Sequence, residues 1–320
     1  MHKLRFLFRR LRERLWLKPL TYCLAAVAAT FVAQAADGTD LGAAVPDIAV
    51  DTLDKLLTII ATTMLAVATF AVGSMLSAYA TATQTATPRA FELVVADDQS
   101  KTALSSFVGA FIFAVVGLVA LDTGLYERAG RFALFLLTAA LFAWVILTFV
   151  RWVDGIARLG RMGATIDKVE AAAAEALARR RRRPNLGGLA PETLGRGPGA
   201  TVEAEGVGYV LSVDMEALQS AAEASGHVIR VEAAPGTFLH PGRPAATVLD
   251  RTASPDETLR RRVSNAFLLG PQRTFEEDPR FGLVVMAEIA GRALSPGVND
   301  PGTAIAVIGR FVRLLSAGAD

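Results

Sequence analysis

The densest set of polar chemistry in the chain lies near its end. There Arg292, Ser295, Asn299 and Asp300 place a guanidinium, a hydroxyl, an amide and a carboxylate along Arg292-Ala293-Leu294-Ser295-Pro296-Gly297-Val298-Asn299-Asp300-Pro301. Asp300 before Pro301 starts a helix, because a carboxylate caps free amides and proline suits the first helical position. Asp278-Pro279 repeats the device one helix earlier. Two roles fit the four side chains. Beside the free amides of a helix start they can hold an anion or touch another subunit; alternatively an Arg292–Asp300 bridge and the cap fix a tight helix-loop-helix corner. A second set lies upstream, where Thr58, Thr62, Thr69, Gly73, Ser77 and Thr81 fall close to one helical stripe and polar residues continue through Thr83, Gln84 and Thr85. Small and hydroxyl side chains let membrane helices approach closely. The same side chains can line a water-filled path.

No reactive constellation accompanies these sets. The chain has no Gly-rich phosphate loop of the Walker type, no Gly-x-Ser-x-Gly elbow and no His-Glu-x-x-His metal helix. Cys23 is the single cysteine, which excludes an intrachain disulfide and a Cys-rich metal site. His2, His227 and His240 are too few and too scattered to suggest a zinc site. Glu276-Glu277-Asp278 reads as solvated or capping rather than as general acids. The expectation is a protein that is not an enzyme, with no catalytic residue, no cofactor and no metal. A net charge of +2 gives no argument for nucleic acid as a partner.

The elements that must position these residues are mostly apolar. Continuous runs at 20–36, 56–80, 103–121 and 132–150 are each near the ~20 residues that cross a bilayer core, and too long and unbroken for barrel strands. The sequence therefore predicts a membrane domain of four transmembrane helices over 1–155. Hydrophobic residues make up 52% of the chain and charged residues 20%, and the two populations are segregated along it. None of the four runs contains Asp, Glu, Lys or Arg, since Asp122, Arg131 and Arg151 lie at their ends. That argues against a proton-coupled carrier and leaves room for a passive conduit.

Charge asymmetry sets the expected orientation. Lys3, Arg5, Arg9, Arg10, Arg12, Arg14 and Lys18 precede the first run, whereas the loop after it holds Asp37, Asp40, Asp47 and Asp51 with no cation until Lys55. The positive-inside rule then places both termini in the cytoplasm. Among the arginines, Leu4, Leu7, Phe8, Leu11 and Leu15 recur at helical spacing, as in an amphipathic helix lying on anionic lipid. Ala33-Gln34-Ala35 is similar to a signal-peptidase site, but the basic stretch before it is long for a signal peptide, and a retained span is expected.

Beyond the fourth run, Leu159, Met162, Ile166, Val169, Ala173 and Ala176 form a narrow apolar seam on a basic cytosolic helix at 156–183, suited to a partner helix from another subunit. The arginine block 179–183 ends that helix as a solvated tip or a lipid-headgroup contact. Residues 184–200 are rich in Pro and Gly and read as a linker. From 201 to 320 the pattern predicts a cytosolic α/β (α+β) domain, with strands near 208–213, 227–232 and 245–249 and helices near 215–224, 255–268, 279–294 and 301–317.

The core Ala-Leu-Ser-Pro-x-x-Asn-Asp-Pro at 293–301, together with Asp278-Pro279-Arg280-Phe281-Gly282-Leu283 upstream, resembles the DUF2254 family of bacterial membrane proteins. Thr87-Pro88-Arg89, Gly208-Tyr209-Val210 and Pro235-Gly236-Thr237-Phe238 are similar to the same pattern. The resemblance implies an architecture, an N-terminal helical membrane part and a C-terminal soluble part, in a family whose members generally continue beyond the corner motif. The function expected first from the residues is a channel-like or ion-conducting assembly, a homo-oligomer embedded in the lipid bilayer, with a cytosolic regulatory domain. The alternative is a membrane-anchored sensor or scaffold whose cytosolic domain binds a small ligand or a protein partner.

Overall fold

A computed structural model describes residues 17–39, 44–85, 87–95, 98–159, 161–190, 193, 199–249 and 255–317. The expected amphipathic helix at Leu4, Leu7, Phe8, Leu11 and Leu15, and positions 191, 192 and 194–198 of the expected linker, lie outside the described residues. So do the side chains of Thr83, Gln84 and Thr85. The chain divides into an N-terminal unit, Arg9–Thr165, and a C-terminal unit that includes Ile166–Asp320.

The N-terminal unit is helical. It comprises α1 (Leu17–Ala35), α2 (Val50–Thr85), the short α3 (Phe91–Val95), α4 (Asp98–Asp122) and α5 (Arg128–Leu159). Four helices among the described residues are long and apolar enough to cross a membrane, over Leu17–Gly38, Val50–Thr81, Gln99–Asp122 and Arg128–Ile156. Each contains one of the expected runs and extends past it, because backbone hydrogen bonding continues until a cap or breaker intervenes, not where the apolar residues stop. α2, at 36 residues, spans roughly 54 Å and so outruns the ~30 Å hydrocarbon core.

Small residues and rings hold this unit together. A Cβ on Gly109 of α4 would lie 3.1 Å from the Cβ of Tyr22, so the glycine permits the close approach of α1. Phe107, Phe149 and Trp152 stack in a cluster that Phe70 of α2 joins edge-on at 6.3 Å from Trp152. At one end, Asp37 reaches the start of α5, where its carboxylate accepts the amides of Glu127 at 2.9 Å and Gly130 at 2.5 Å. Asp47 pairs with Arg131 at 2.7 Å, and that guanidinium holds the Asp47 carboxyl below its ordinary range. The Tyr126 hydroxyl donates to the Thr30 carbonyl at 3.1 Å. Two of the acids that mark the expected orientation thus also tie the first loop to the fourth long helix.

The C-terminal unit begins within α6 (Met162–Arg182) and continues through β1 (Gly199–Val202), β2 (Gly208–Val213), α7 (Met215–Ser225), β3 (Val228–Val231), β4 (Phe238–Leu239) and β5 (Ala246–Leu249). It closes with α8 (Glu257–Asn265), β6 (Phe267–Gly270), α9 (Phe281–Ala293) and α10 (Pro301–Ser316). The strands form two three-stranded antiparallel sheets, β1-β5-β3 and β4-β2-β6. Val210, Val213, Leu218, Ala246, Val248, Leu259, Val263 and Phe267 fill the core. Asp214 and Asp256 cap α7 and α8 through the amides of Ala217 at 3.0 Å and Leu259 at 2.7 Å.

The mixed architecture expected after the membrane helices is present in outline, with two corrections. The expected helix at 255–268 ends early, and Phe267-Leu268-Leu269-Gly270 is a strand paired with β2. A short apolar run satisfies either periodicity, and pairing with a distant strand decides between them. β1 begins at Gly199, inside the stretch that composition marks as linker.

α6 is covered by its own unit. Ile166, Val169, Ala173 and Ala176 are all buried. A Cβ on Gly282 of α9 would lie 2.5 Å from the Cβ of Ala173, a contact only glycine permits. Arg310 of α10 pairs with Asp167 at 2.5 Å and Glu170 at 3.2 Å, and Arg313 pairs with Glu170 at 2.6 Å. The seam expected to suit another subunit therefore packs inside the chain that carries it.

Candidate functional site

On α2 the inward face is Leu53, Leu57, Ile60, Met64, Ala68, Ala71, Met75 and Tyr79, all buried. Thr58, Thr62, Thr69, Gly73, Ser77 and Thr81 occupy the other side and every one is exposed. A Cβ on Gly73 would meet nothing within 4 Å. Among the described residues the stripe therefore faces away from the buried side of its own unit. Three of its hydroxyls turn back on the helix: Thr62 donates to the Thr58 carbonyl at 2.8 Å, Thr69 to Leu65 at 2.9 Å and Thr81 to Ser77 at 3.0 Å. These three donors are satisfied within α2, which lowers the cost of meeting lipid. What these three present outward is oxygen lone pairs.

The corner motif sets Arg292 in the last turn of α9 and Ser295, Asn299 and Asp300 in the loop that leads to α10. The Asp300 carboxylate accepts the Thr303 amide at 3.1 Å and the Thr303 hydroxyl at 2.6 Å. The Thr303 hydroxyl, and then the backbone amides, lower the Asp300 pKa from its ordinary value. The Ser295 hydroxyl donates to the Arg292 carbonyl at 2.6 Å, and the Asp300 amide to the Ala293 carbonyl at 2.7 Å. Asn299 has φ +48°, the left-handed region that asparagine tolerates better than most residues. The cap is formed, but Arg292 makes no ion pair with Asp300. Ser295 and Asp300 thus spend their hydrogen bonds on the corner's own backbone and on Thr303.

The acidic triplet upstream is partly structural. Asp278 is 3% exposed, pairs with Arg273 at 2.6 Å and accepts the Arg280 amide at 3.0 Å. Arg273 in turn lies over the Phe281 ring, 5.2 Å from its centroid. Glu277 accepts the Ser212 hydroxyl at 3.0 Å.

The largest concentration of unpaired charge lies elsewhere in this unit. Arg179, Arg180, Arg182 and Arg183, at the end of α6, line a cavity of about 430 Å³ with Glu216 and Glu277. Ala176, Leu186, Val213 and Met215 supply its apolar wall. Arg179 is fixed by Glu175 and by the Phe275 carbonyl at 3.4 Å. Arg181 points elsewhere, donating to the carbonyls of Ala317 at 2.9 Å and Leu314 at 3.2 Å. No described residue pairs with the guanidinium groups of Arg180, Arg182 or Arg183. The arginine run was visible in the sequence. The opposite walls, at Val213, Met215, Glu216 and Glu277, carried no local signal because the fold alone brings them there.

Comparison with known proteins agrees with this architecture. The family DUF2254, described as a predicted membrane protein, matches residues 12–320. Uncharacterized proteins of Mycobacterium bovis and Mycobacterium tuberculosis are each 34% identical to the chain over 104 residues. That stretch is 32% of this chain and 20% of each relative, so the match spans about a fifth of those relatives' length. No solved structure matches the chain. The chain belongs to the DUF2254 family of membrane proteins.

Proposed function

Proceeding from that membership, we propose that the protein is a non-enzymatic, channel-like homo-oligomer of the bacterial inner membrane, with both termini in the cytoplasm and the C-terminal unit as its regulatory part. One observation carries this: the stripe from Thr58 to Thr81 faces away from the rest of its own unit on a span free of charged residues over 56–80. Copies arranged around an axis with these stripes inward would enclose a path lined by hydroxyl oxygens and by the unobstructed backbone at Gly73. Because the Thr62, Thr69 and Thr81 hydroxyls donate to their own helix, these positions would offer acceptors, which suits water and cations. The absence of an ionisable group within the apolar runs fits passive conduction and not proton-coupled transport. Single-channel recording from the purified full-length protein in planar lipid tests the proposal. Discrete openings are expected; bilayers that stay silent across ions, voltages and tensions would refute it.

A second role, a membrane-anchored sensor or scaffold, is favoured by a different observation, the arginine-lined cavity of the C-terminal unit. In that case ligand binding would proceed in protein that conducts nothing.

A further inference from the structure

We propose that the cavity at the end of α6 is a binding site for a phosphate-bearing anion that carries an apolar portion. Four guanidinium groups and two carboxylates line it and Arg179 is paired with Glu175, which leaves an excess of one positive charge, and Arg180, Arg182 and Arg183 have no partner among the described residues. Several other arginines of the same unit are instead consumed by ion pairs or carbonyls. Arg273 goes to Asp278, Arg310 to Asp167 and Glu170, Arg313 to Glu170, and Arg181 to Ala317 and Leu314. Uncompensated cations gathered around one concavity make it attractive to an anion, and low-dielectric walls strengthen the attraction. The guanidinium fork matches phosphate oxygens two at a time.

The shape narrows the ligand further. A volume of about 430 Å³ falls within the range of small-molecule sites. Leu186, Val213, Met215 and Ala176 line the same space, so the bound anion has an apolar body to lay against them. Arg179, held by Glu175 and the Phe275 carbonyl, is the fixed member of the cluster. Glu216, in the first turn of α7, sets an upper limit on the negative charge the site accepts. A soluble phosphorylated metabolite and a phospholipid headgroup share this chemistry.

The test uses the full chain in nanodiscs of neutral phosphatidylcholine, titrated calorimetrically with inorganic phosphate and with adenosine monophosphate, beside nanodiscs doped with phosphatidylglycerol. Saturable binding is expected, tighter for adenosine monophosphate than for phosphate, and weakened about tenfold or more in the Arg180→Ala/Arg183→Ala double variant. Arginine-dependent binding of the soluble probes in neutral nanodiscs that is lost in the doped ones would identify a lipid headgroup as the source. Should the double variant fail to fold, Glu216→Gln decides, because removing a repelling carboxylate must tighten binding. No binding by any probe, binding indifferent to the two arginines, or no effect of Glu216→Gln would each overturn the proposal. None of these outcomes depends on whether the protein conducts.

Discussion

Two stripes in this molecule share a sequence signature and have opposite fates. On α6, Ile166, Val169, Ala173 and Ala176 recur three and four residues apart, and α9 and α10 of the same chain close over them. On α2, Thr58, Thr62, Thr69, Gly73, Ser77 and Thr81 recur at similar spacing and all six are exposed. The contrast follows from the solvent each face meets. An apolar seam in water gains by being covered, and the nearest complementary helix covers it. A face of small residues with back-bonded hydroxyls can stay open in lipid until another helix or copy arrives. Periodicity therefore defines a face but does not name its occupant.

The sharpest way to break the comparison is to crowd the covered stripe. In Gly282→Val the new Cβ would lie 2.5 Å from that of Ala173 and 3.0 Å from its Cα. A loss of about 3 kcal/mol, or outright misfolding, is expected in denaturant titration of the detergent-solubilised chain. Unchanged stability would mean that α9 does not pack on α6. A smaller effect is expected from Asp37→Ala, which frees two amides at the start of α5 and should cost about 1 kcal/mol, read as a lowered Tm of the same preparation.

The corner offers a milder, pH-dependent probe. Asp300 has its carboxyl held below the ordinary value of 3.8 in the folded chain, so its stabilising effect is complete above 3.8 and is lost as pH falls through the lowered folded value. Asp300→Ala should therefore be less stable than the parent at neutral pH and converge with it in acid. A constant gap across that range would show that the charge of the carboxylate is irrelevant to the cap. Asn299→Gly should be tolerated and Asn299→Val should not, because φ +48° penalises a branched side chain.

What was legible in the sequence divides along the same line. The long apolar runs announced four helices long and apolar enough to cross a membrane, and Asp300-Pro301 announced its cap, because in each case the signal and the structure are local. The failures are non-local. Phe267-Leu268-Leu269-Gly270 became a strand through pairing with β2. Asp37 caps a helix that begins some 90 residues later, and no pattern near either position foretells it. The arginine run at 179–183 was plain, yet the cavity it lines needs Val213, Met215 and Glu277, which only the folded chain brings beside it. The Arg292–Asp300 bridge, one of the two readings of the corner, does not form; Asp300 accepts the amide and hydroxyl of Thr303 instead.

Substitutions on the uncovered stripe carry the smallest expected cost in stability and the largest consequence for function. Thr69→Val should change folding by no more than about 0.5 kcal/mol, since no neighbour within the chain is disturbed. The decisive measurement places a thiol there, as Thr69→Cys in a Cys23→Ala background, and records current in planar lipid while a water-soluble methanethiosulfonate is applied, with Val72→Cys as the control on an exposed position outside the stripe. If the stripe lines the path, the reagent alters the current through the Thr69→Cys protein and leaves the Val72→Cys protein unchanged. Current that ignores modification at position 69, or that responds equally at both, would contradict the account.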